Sequence, residues 1–149
     1  MNSDKRRFEH KELTRKVIGV FFNVYNELGH GFLESVYERS FELALSSVGI
    51  KVCRKIEIPV RFRGQTVGDF EADMLIEDCV LVELKAVRAL DSAHEAQLLN
   101  YLRATDIELG LLLNFGLKPQ FKRMAFDNSR KLIRQKPNSL MADLLTSST

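Results

Sequence analysis

The stretch Cys79-Val80-Leu81-Val82-Glu83-Leu84-Lys85 is apolar at its first four positions, then carries a carboxylate and an amine on either side of Leu84. An unbroken apolar run this short, opened by Glu77-Asp78, predicts a strand buried on both faces. Residues two apart in a strand point to the same face. Glu83 and Lys85 therefore stand side by side at the end of a buried strand, where charges are costly without a partner or a task. Alone, the tripeptide Glu83-Leu84-Lys85 reads most simply as a partly buried ion pair or a frayed strand end. Its neighbours change that weighing.

Upstream, Val52, Ile56, Ile58, Val60 and Phe62 alternate with Lys51, Lys55, Glu57, Arg61 and Arg63, the period-two pattern of a strand with one wet face. Pro59 marks an edge or a bulge. Arg63-Gly64-Gln65-Thr66 supplies a turn, and a second strand runs from Val67 to Ile76 with Asp69, Glu71 and Asp73 on one alternation. Carboxylates from adjacent strands can hold a hard cation such as Mg²⁺ through oxygen ligands. A two-residue loop at Glu77-Asp78 would pair Asp73 with Val82 and put Asp73 and Glu83 on opposite faces. The reading therefore predicts a three-residue loop or a bulge, with Asp73 opposite Glu83.

Downstream, Asp91-Ser92-Ala93-His94-Glu95 opens a helix that continues to about Thr105, with Ser92 and Glu95 in capping-box spacing. Gln97 and Tyr101, four residues apart, share a face with His94 one turn earlier and can orient a phosphate or a water. Leu109 to Phe115 is a second apolar run that suits a buried strand. Residues 120–126 fit either an edge strand or a helical turn. At the other end, Leu13, Val17, Val20, Phe21, Val24, Tyr25 and Leu28 keep the rhythm of one helix face, broken by Gly29-His30-Gly31. A second helix follows through Leu33, Val36, Tyr37, Phe41, Leu45 and Val48 and ends at Gly49 in a left-handed cap. The two helices should pair, and Glu34 in the first turn of the second complements its dipole. The order α-α-β-β-β-α-β, an antiparallel meander joined through a crossover helix to a fourth, central strand, describes an α/β sandwich with a mixed sheet.

The 149 residues are 45% hydrophobic and 28% charged, which fits one soluble domain with a single core. Two cysteines, Cys53 and Cys79, are too few for a disulfide framework and suggest a reducing compartment, with the cytoplasm as the expected location. The charged N-terminus leads into no apolar segment of signal-peptide or membrane-spanning length, so neither export nor a membrane partner is expected. A net charge of +2 conceals a pattern. Residues 1–16 carry six basic and three acidic side chains, residues 17–115 nine and fifteen, and residues 116–137 seven and one. Basic ends around an acidic middle fit a nucleic-acid footprint flanking a carboxylate-lined site, although terminal helices solvated by Lys and Arg would show the same pattern. His10, His30 and His94 have no zinc-ligand spacing, and no Gly-rich loop joins a strand to a helix for a dinucleotide.

Gly31-Phe32-Leu33-Glu34-Ser35-Val36-Tyr37 fits the pattern GxxExxY. Together with Asp73, Glu83-Leu84-Lys85, Gln97-Leu98-Leu99-Asn100-Tyr101 and the run from Leu109 to Gly116, it resembles the GxxExxY group of the PD-(D/E)XK nuclease superfamily. The resemblance covers about Thr14 to Phe126. Ala72 stands where the superfamily name has a proline. The resemblance implies a restriction-endonuclease-like αβββαβ core, a mixed β-sheet flanked by helices, with the first helix as an N-terminal addition and 127–149 as a basic, polar C-terminal extension of a single 1–149 domain. It implies a nuclease using Mg²⁺, or Mn²⁺, to hydrolyse phosphodiester bonds in DNA or RNA. Asp73 and Glu83 would ligate the metal with the Leu84 carbonyl, and Glu34 would reach the metal or its water shell. Lys85 would position the attacking water and stabilise the phosphoryl oxygens, while Gln97 and Tyr101 complete the pocket. The basic segments, including Lys118, Lys122, Arg123, Arg130 and Lys131, would hold the polymer backbone. The competing expectation is a catalytically silent nuclease-like module for nucleic-acid or protein binding, since a retained motif does not specify a substrate. Phe22, Tyr25 and Leu28 offer a helix surface on which a homodimer would form.

Overall fold

In the computed structural model, which describes residues 3–131, the chain forms α1 (Ser3–Leu28), α2 (Glu34–Ser47), β1 (Val52–Phe62), β2 (Gln65–Ile76), β3 (Val80–Lys85), α3 (Ser92–Arg103), β4 (Leu109–Asn114) and β5 (Gln120–Ala125), then a short 3₁₀ turn. The sheet order is β1-β2-β3-β4-β5. Every neighbouring pair is antiparallel except β3 with β4, which the crossover through α3 makes parallel. Residues 120–126, open between strand and helical turn in the sequence, form the edge strand β5 beside β4. The apolar cluster at Leu140, Met141, Leu144 and Leu145 lies outside the described residues.

Each face of the sheet carries its own core. Val17, Phe21 and Val24 of α1 and Tyr37, Phe41 and Leu45 of α2 pack on Met74, Ile76, Val82, Leu84, Leu111, Leu113 and Phe115. Leu98, Tyr101 and Leu102 of α3 cover Ile56, Ile58, Ala72, Leu81 and Leu112 on the other side. The buried faces of β3 and β4 thus explain their unbroken apolar sequence. Phe22 and Tyr25 turn out to be occupied within the chain: Phe22 packs edge-on against Phe121, and the Tyr25 hydroxyl donates to the carbonyls of Gly116 and Leu117. Leu28 packs on the same core. The surface expected for a partner helix is therefore largely spent on intramolecular contacts.

Local chemistry accounts for the connections. Gly49, at φ 79°, closes α2 in a Schellman motif: its N–H donates to the Ser46 carbonyl while the Ile50 N–H donates to the Leu45 carbonyl. Arg63 and Gly64, both left-handed, make a two-residue turn, so β2 begins at Gln65, two residues before the alternation suggests. Pro59 lies on the edge strand, where its missing N–H costs no ladder bond to a further strand, and the register shifts just beyond it at Val60/Arg61. The N-cap of α3 is Asp91, not Ser92. The Asp91 carboxylate accepts from Ala93 N and His94 N, and His94 Nδ1 accepts from Asp91 N, so the histidine takes the capping-box role assigned to Glu95. Among the described residues no helix is long and apolar enough to cross a membrane.

Candidate active site

The β2–β3 ladder has Met74 opposite Val82, Leu75 opposite Leu81 and Ile76 opposite Val80, leaving a three-residue loop at 77–79 with Glu77 and Asp78 left-handed. Continuing that register sets Asp73 opposite Glu83, the geometry the loop argument required. At this pair the strands part, and side chains replace the lost ladder bonds. The Asp73 N–H donates to Glu83 Oε1 (2.9 Å), and the Leu84 N–H donates to Asp73 Oδ2 (2.7 Å). Two carboxylates are thereby clamped in the fork, Glu83 almost fully buried at 3% exposure.

Burial raises both groups above the ordinary range, helped at Glu83 by the charge of Asp73 and at Asp73 by the charges of Glu38 and Glu34. Burial is the larger cause for each; it lifts Glu83, with the repulsion of Asp73, to about 8 and pushes Asp73 up, opposed chiefly by the Leu84 N–H. Two carboxylates that resist ionising together when held this close are suited to a cation that would offset their charge. Lys85, two residues on and on the same face, donates from Nζ to Gln97 Oε1 (2.9 Å) and lies 3.8 Å from Glu83 Oε2. Gln97 in turn donates to the Tyr101 hydroxyl (2.9 Å). Burial and the Glu83 charge push Tyr101 up to about 12, so it stays a neutral phenol and serves as an orienting acceptor.

Glu34 sits exposed at the first position of α2, close enough for its charge to act on Asp73 and Glu83. The Tyr three residues on is structural. Tyr37 is fully buried, stacks on Phe115 (4.7 Å between centroids), donates to the Gly29 carbonyl and accepts from Phe32 N, which fixes the loop that leads into Glu34. His94 is spent on its cap.

Asn114 is a supporting residue that looks, in the sequence, like one more position of an apolar strand. Its Oδ1 accepts from Val87 N and Gly116 N, and its Nδ2 donates to Val87 O and Gln120 Oε1. These four bonds tie down the loop that follows Lys85. Gly116 lets that loop approach, since a Cβ there would lie 1.7 Å from the Val87 carbonyl oxygen. Gly116→Ala is accordingly expected to destabilise the protein by roughly 3 kcal/mol, lowering Tm by about 10 °C. A melting curve within about 2 °C of wild type would contradict this close approach.

The basic residues do not all reach solvent. Lys118 and Arg130 are exposed, and Arg123 is exposed beside the Phe121 ring. Lys122 pairs with Glu95. Lys131 departs from its expected place on a nucleic-acid surface. Its ammonium is buried and donates to the carbonyls of Thr105 (2.7 Å) and Ile107 (3.0 Å) and to Asn128 Oδ1, pinning the chain after β5 to the end of α3.

For a divalent cation the fork offers oxygen donors only: the Asp73 and Glu83 carboxylates, with the Leu84 carbonyl beside them. Among the described residues no three His, Cys, Asp or Glu side chains gather into a closed cage. Such a sparse, hard-oxygen set fits Mg²⁺, which keeps several waters and binds through one or two carboxylates, and does not fit Zn²⁺.

Residues 11–124 match the model of the PD-(D/E)XK nuclease superfamily, and the chain belongs to that superfamily. Its mixed sheet between helices is the restriction-endonuclease-like α/β fold. Enzymes of that superfamily are nucleases that generally use divalent metals. A solved structure described as "Crystal structure of SSO0001" is similar with a TM-score of 0.50 at 18% identity, over 62% of this chain and 50% of that one. The chain thus spans about half the length of that structure, and the likeness concerns the fold alone. No curated protein matches the chain significantly.

Proposed function

We propose that this chain is a Mg²⁺-dependent nuclease of the GxxExxY group, hydrolysing phosphodiester bonds in DNA or RNA at the fork between β2 and β3. The observation that carries the reading is the clamp of Asp73 and Glu83 across the parted strands, with Lys85 aimed beside it by Gln97. A phosphodiester is anionic and repels nucleophiles, so hydrolysis requires cations at the phosphoryl group and an oriented water in line with the leaving oxygen. A divalent cation held by Asp73, Glu83 and the Leu84 carbonyl would neutralise the phosphoryl oxygens and make a nearby water more acidic. Lys85 holds its ammonium, anchored by Gln97 Oε1, where it orients the attacking water and stabilises charge developing on a phosphoryl oxygen. Gln97 and Tyr101 act as positioning residues, keeping that ammonium from collapsing onto Glu83. Glu34 lies at the open side, where an exposed carboxylate can reach the water shell. The exposed Lys118, Arg123 and Arg130 extend a cationic surface for the polymer. The unit is one domain with its core at about 14–126, and its free cysteines suit the reducing cytoplasm.

The test is cleavage of single- and double-stranded DNA and RNA with Mg²⁺, Mn²⁺ or EDTA. Cleavage of at least one form with metal and none with EDTA is the expected result. Inactivity on every form with both metals would favour the catalytically silent module.

A further inference from the structure

One group of charges beside the fork has no part in the roles above. Glu38, one turn along α2 from Glu34, is buried at 5% exposure and accepts from Arg54 Nε (3.2 Å) and Lys55 Nζ (3.3 Å). Arg54 and Lys55 are consecutive in β1. In a regular strand consecutive side chains point to opposite faces, so one carboxylate could not bind both. The backbone resolves this at Lys55, which is left-handed at φ 58° in mid-strand. That conformation is costly for a long side chain, and such strain persists only where surrounding structure enforces it.

The core records the same flip. Cys53 and Ile56, three apart, pack on the α3 face, as do Ala72 and Leu75 across the ladder. Arg54 pairs with Met74 and Ile56 with Ala72, which sets Lys55 against Asp73. The irregularity therefore does two things together: it shifts the phase of β2 between Ala72 and Leu75, where Asp73 enters the fork, and it carries the Lys55 side chain to Glu38. Glu38 is paired with that ammonium, whose charge also acts on Asp73. Lys55 nonetheless remains open to solvent, its side chain 52% exposed, whereas Lys85 is 17% exposed.

We propose that Lys55, held by Glu38, is a substrate-binding residue that takes a phosphate of the polynucleotide strand flanking the scissile one, with Glu38 as its positioning residue. This rests on the nuclease reading of the fork. Lys85 is enclosed by Gln97 and Glu83 and serves the reacting phosphoryl group. Lys55, on the β1 side of Asp73 and exposed, is placed for the next phosphate along the strand. A solvent-facing ammonium with a buried carboxylate behind it keeps a fixed direction and still presents N–H donors outward.

The test compares Lys55→Gly, Lys55→Arg and Glu38→Gln with wild type. Glycine tolerates the left-handed backbone, so Lys55→Gly removes the ammonium without adding strain. Binding of a labelled oligonucleotide, read by anisotropy across salt with Ca²⁺ replacing Mg²⁺, is expected to weaken about tenfold in Lys55→Gly, with the log-log salt slope reduced by about one. Lys55→Arg should retain most of the affinity, and Glu38→Gln should weaken binding with little change in slope. With Mg²⁺, the loss in kcat/KM of Lys55→Gly on the oligonucleotide should lie in KM and exceed its loss on bis(p-nitrophenyl) phosphate, which has no flanking phosphate, by about tenfold. Unchanged affinity and slope in Lys55→Gly, or equal losses on the two substrates, would overturn the proposal even if wild type cleaves. A wild type that cleaves neither substrate defeats the nuclease reading, and the binding arm then still decides whether Lys55 contacts a strand.

Discussion

Glu83→Ala and Lys85→Ala are each expected to lower metal-dependent cleavage by at least about a thousandfold while leaving the fold intact, because each removes a charge made useful only at the reacting phosphoryl group. Glu83 supplies both a cation ligand and, through Oε1, the acceptor that holds the Asp73 N–H after the ladder opens. Lys85 supplies the ammonium oriented by Gln97. The variants should separate by metal dependence. Glu83→Ala should also lose metal uptake by calorimetry, whereas Lys85→Ala should bind metal and fail in turnover. Gln97→Ala is expected to be milder, about ten- to a hundredfold and mainly in kcat, since it frees the ammonium without removing it. A Glu83→Ala protein with wild-type cleavage would remove the fork from the mechanism.

The second large effect concerns stability in the absence of metal. Glu83 titrates near 8 in the fold against an ordinary value near 4.5. The folded protein therefore holds a proton that the unfolded chain gives up. Stability associated with this group is fully present below about 4.5 and is lost as pH rises toward and through about 8. The shift corresponds to a penalty on the order of 3–5 kcal/mol once Glu83 is ionised. In EDTA, Tm is expected to fall across that window. Glu83→Gln keeps an acceptor for the Asp73 N–H but carries no charge, so it should raise Tm by about 10 °C at pH 8.5 and have little effect at pH 5. Saturating Mg²⁺ should stabilise wild type at high pH and not Glu83→Gln. A flat pH profile in EDTA, or destabilisation by Glu83→Gln at pH 8.5, would show that the fork carries no repulsion for a cation to relieve.

Much of this arrangement was legible because its determinants are local. The apolar run 79–82 identified the buried strand, and the demand that Asp73 meet Glu83 required the three-residue loop that the structure has at 77–79. Gln97 and Tyr101 share a helix face by spacing alone, and the structure links them directly. What stayed hidden depends on context that sequence does not display. Glu38 looks like one more charge on a helix flank, and nothing in Arg54-Lys55 announces a left-handed residue; only the sheet register and the packing of α2 over β1 bring the three together. Lys131 belongs by composition to a basic tail, yet carbonyls at the end of α3 happen to lie within its reach. Ser92 lost the cap to Asp91 because two equally suitable capping residues are adjacent and the helix phase chooses between them. Asn114 was concealed by apolar neighbours, although a lone amide at the end of a buried strand is itself a signal, since a buried polar group must find partners.

The most direct measurement of the central claim is a crystal structure of the protein soaked in Mn²⁺, read by anomalous difference density. The account predicts a peak between the Asp73 and Glu83 carboxylates, within about 2.2 Å of an oxygen of each, with Lys85 still directed by Gln97 beside it. Crystals soaked to saturation that show no peak in the fork, with Asp73 and Glu83 still bonded to the Leu84 and Asp73 N–H groups, would contradict it.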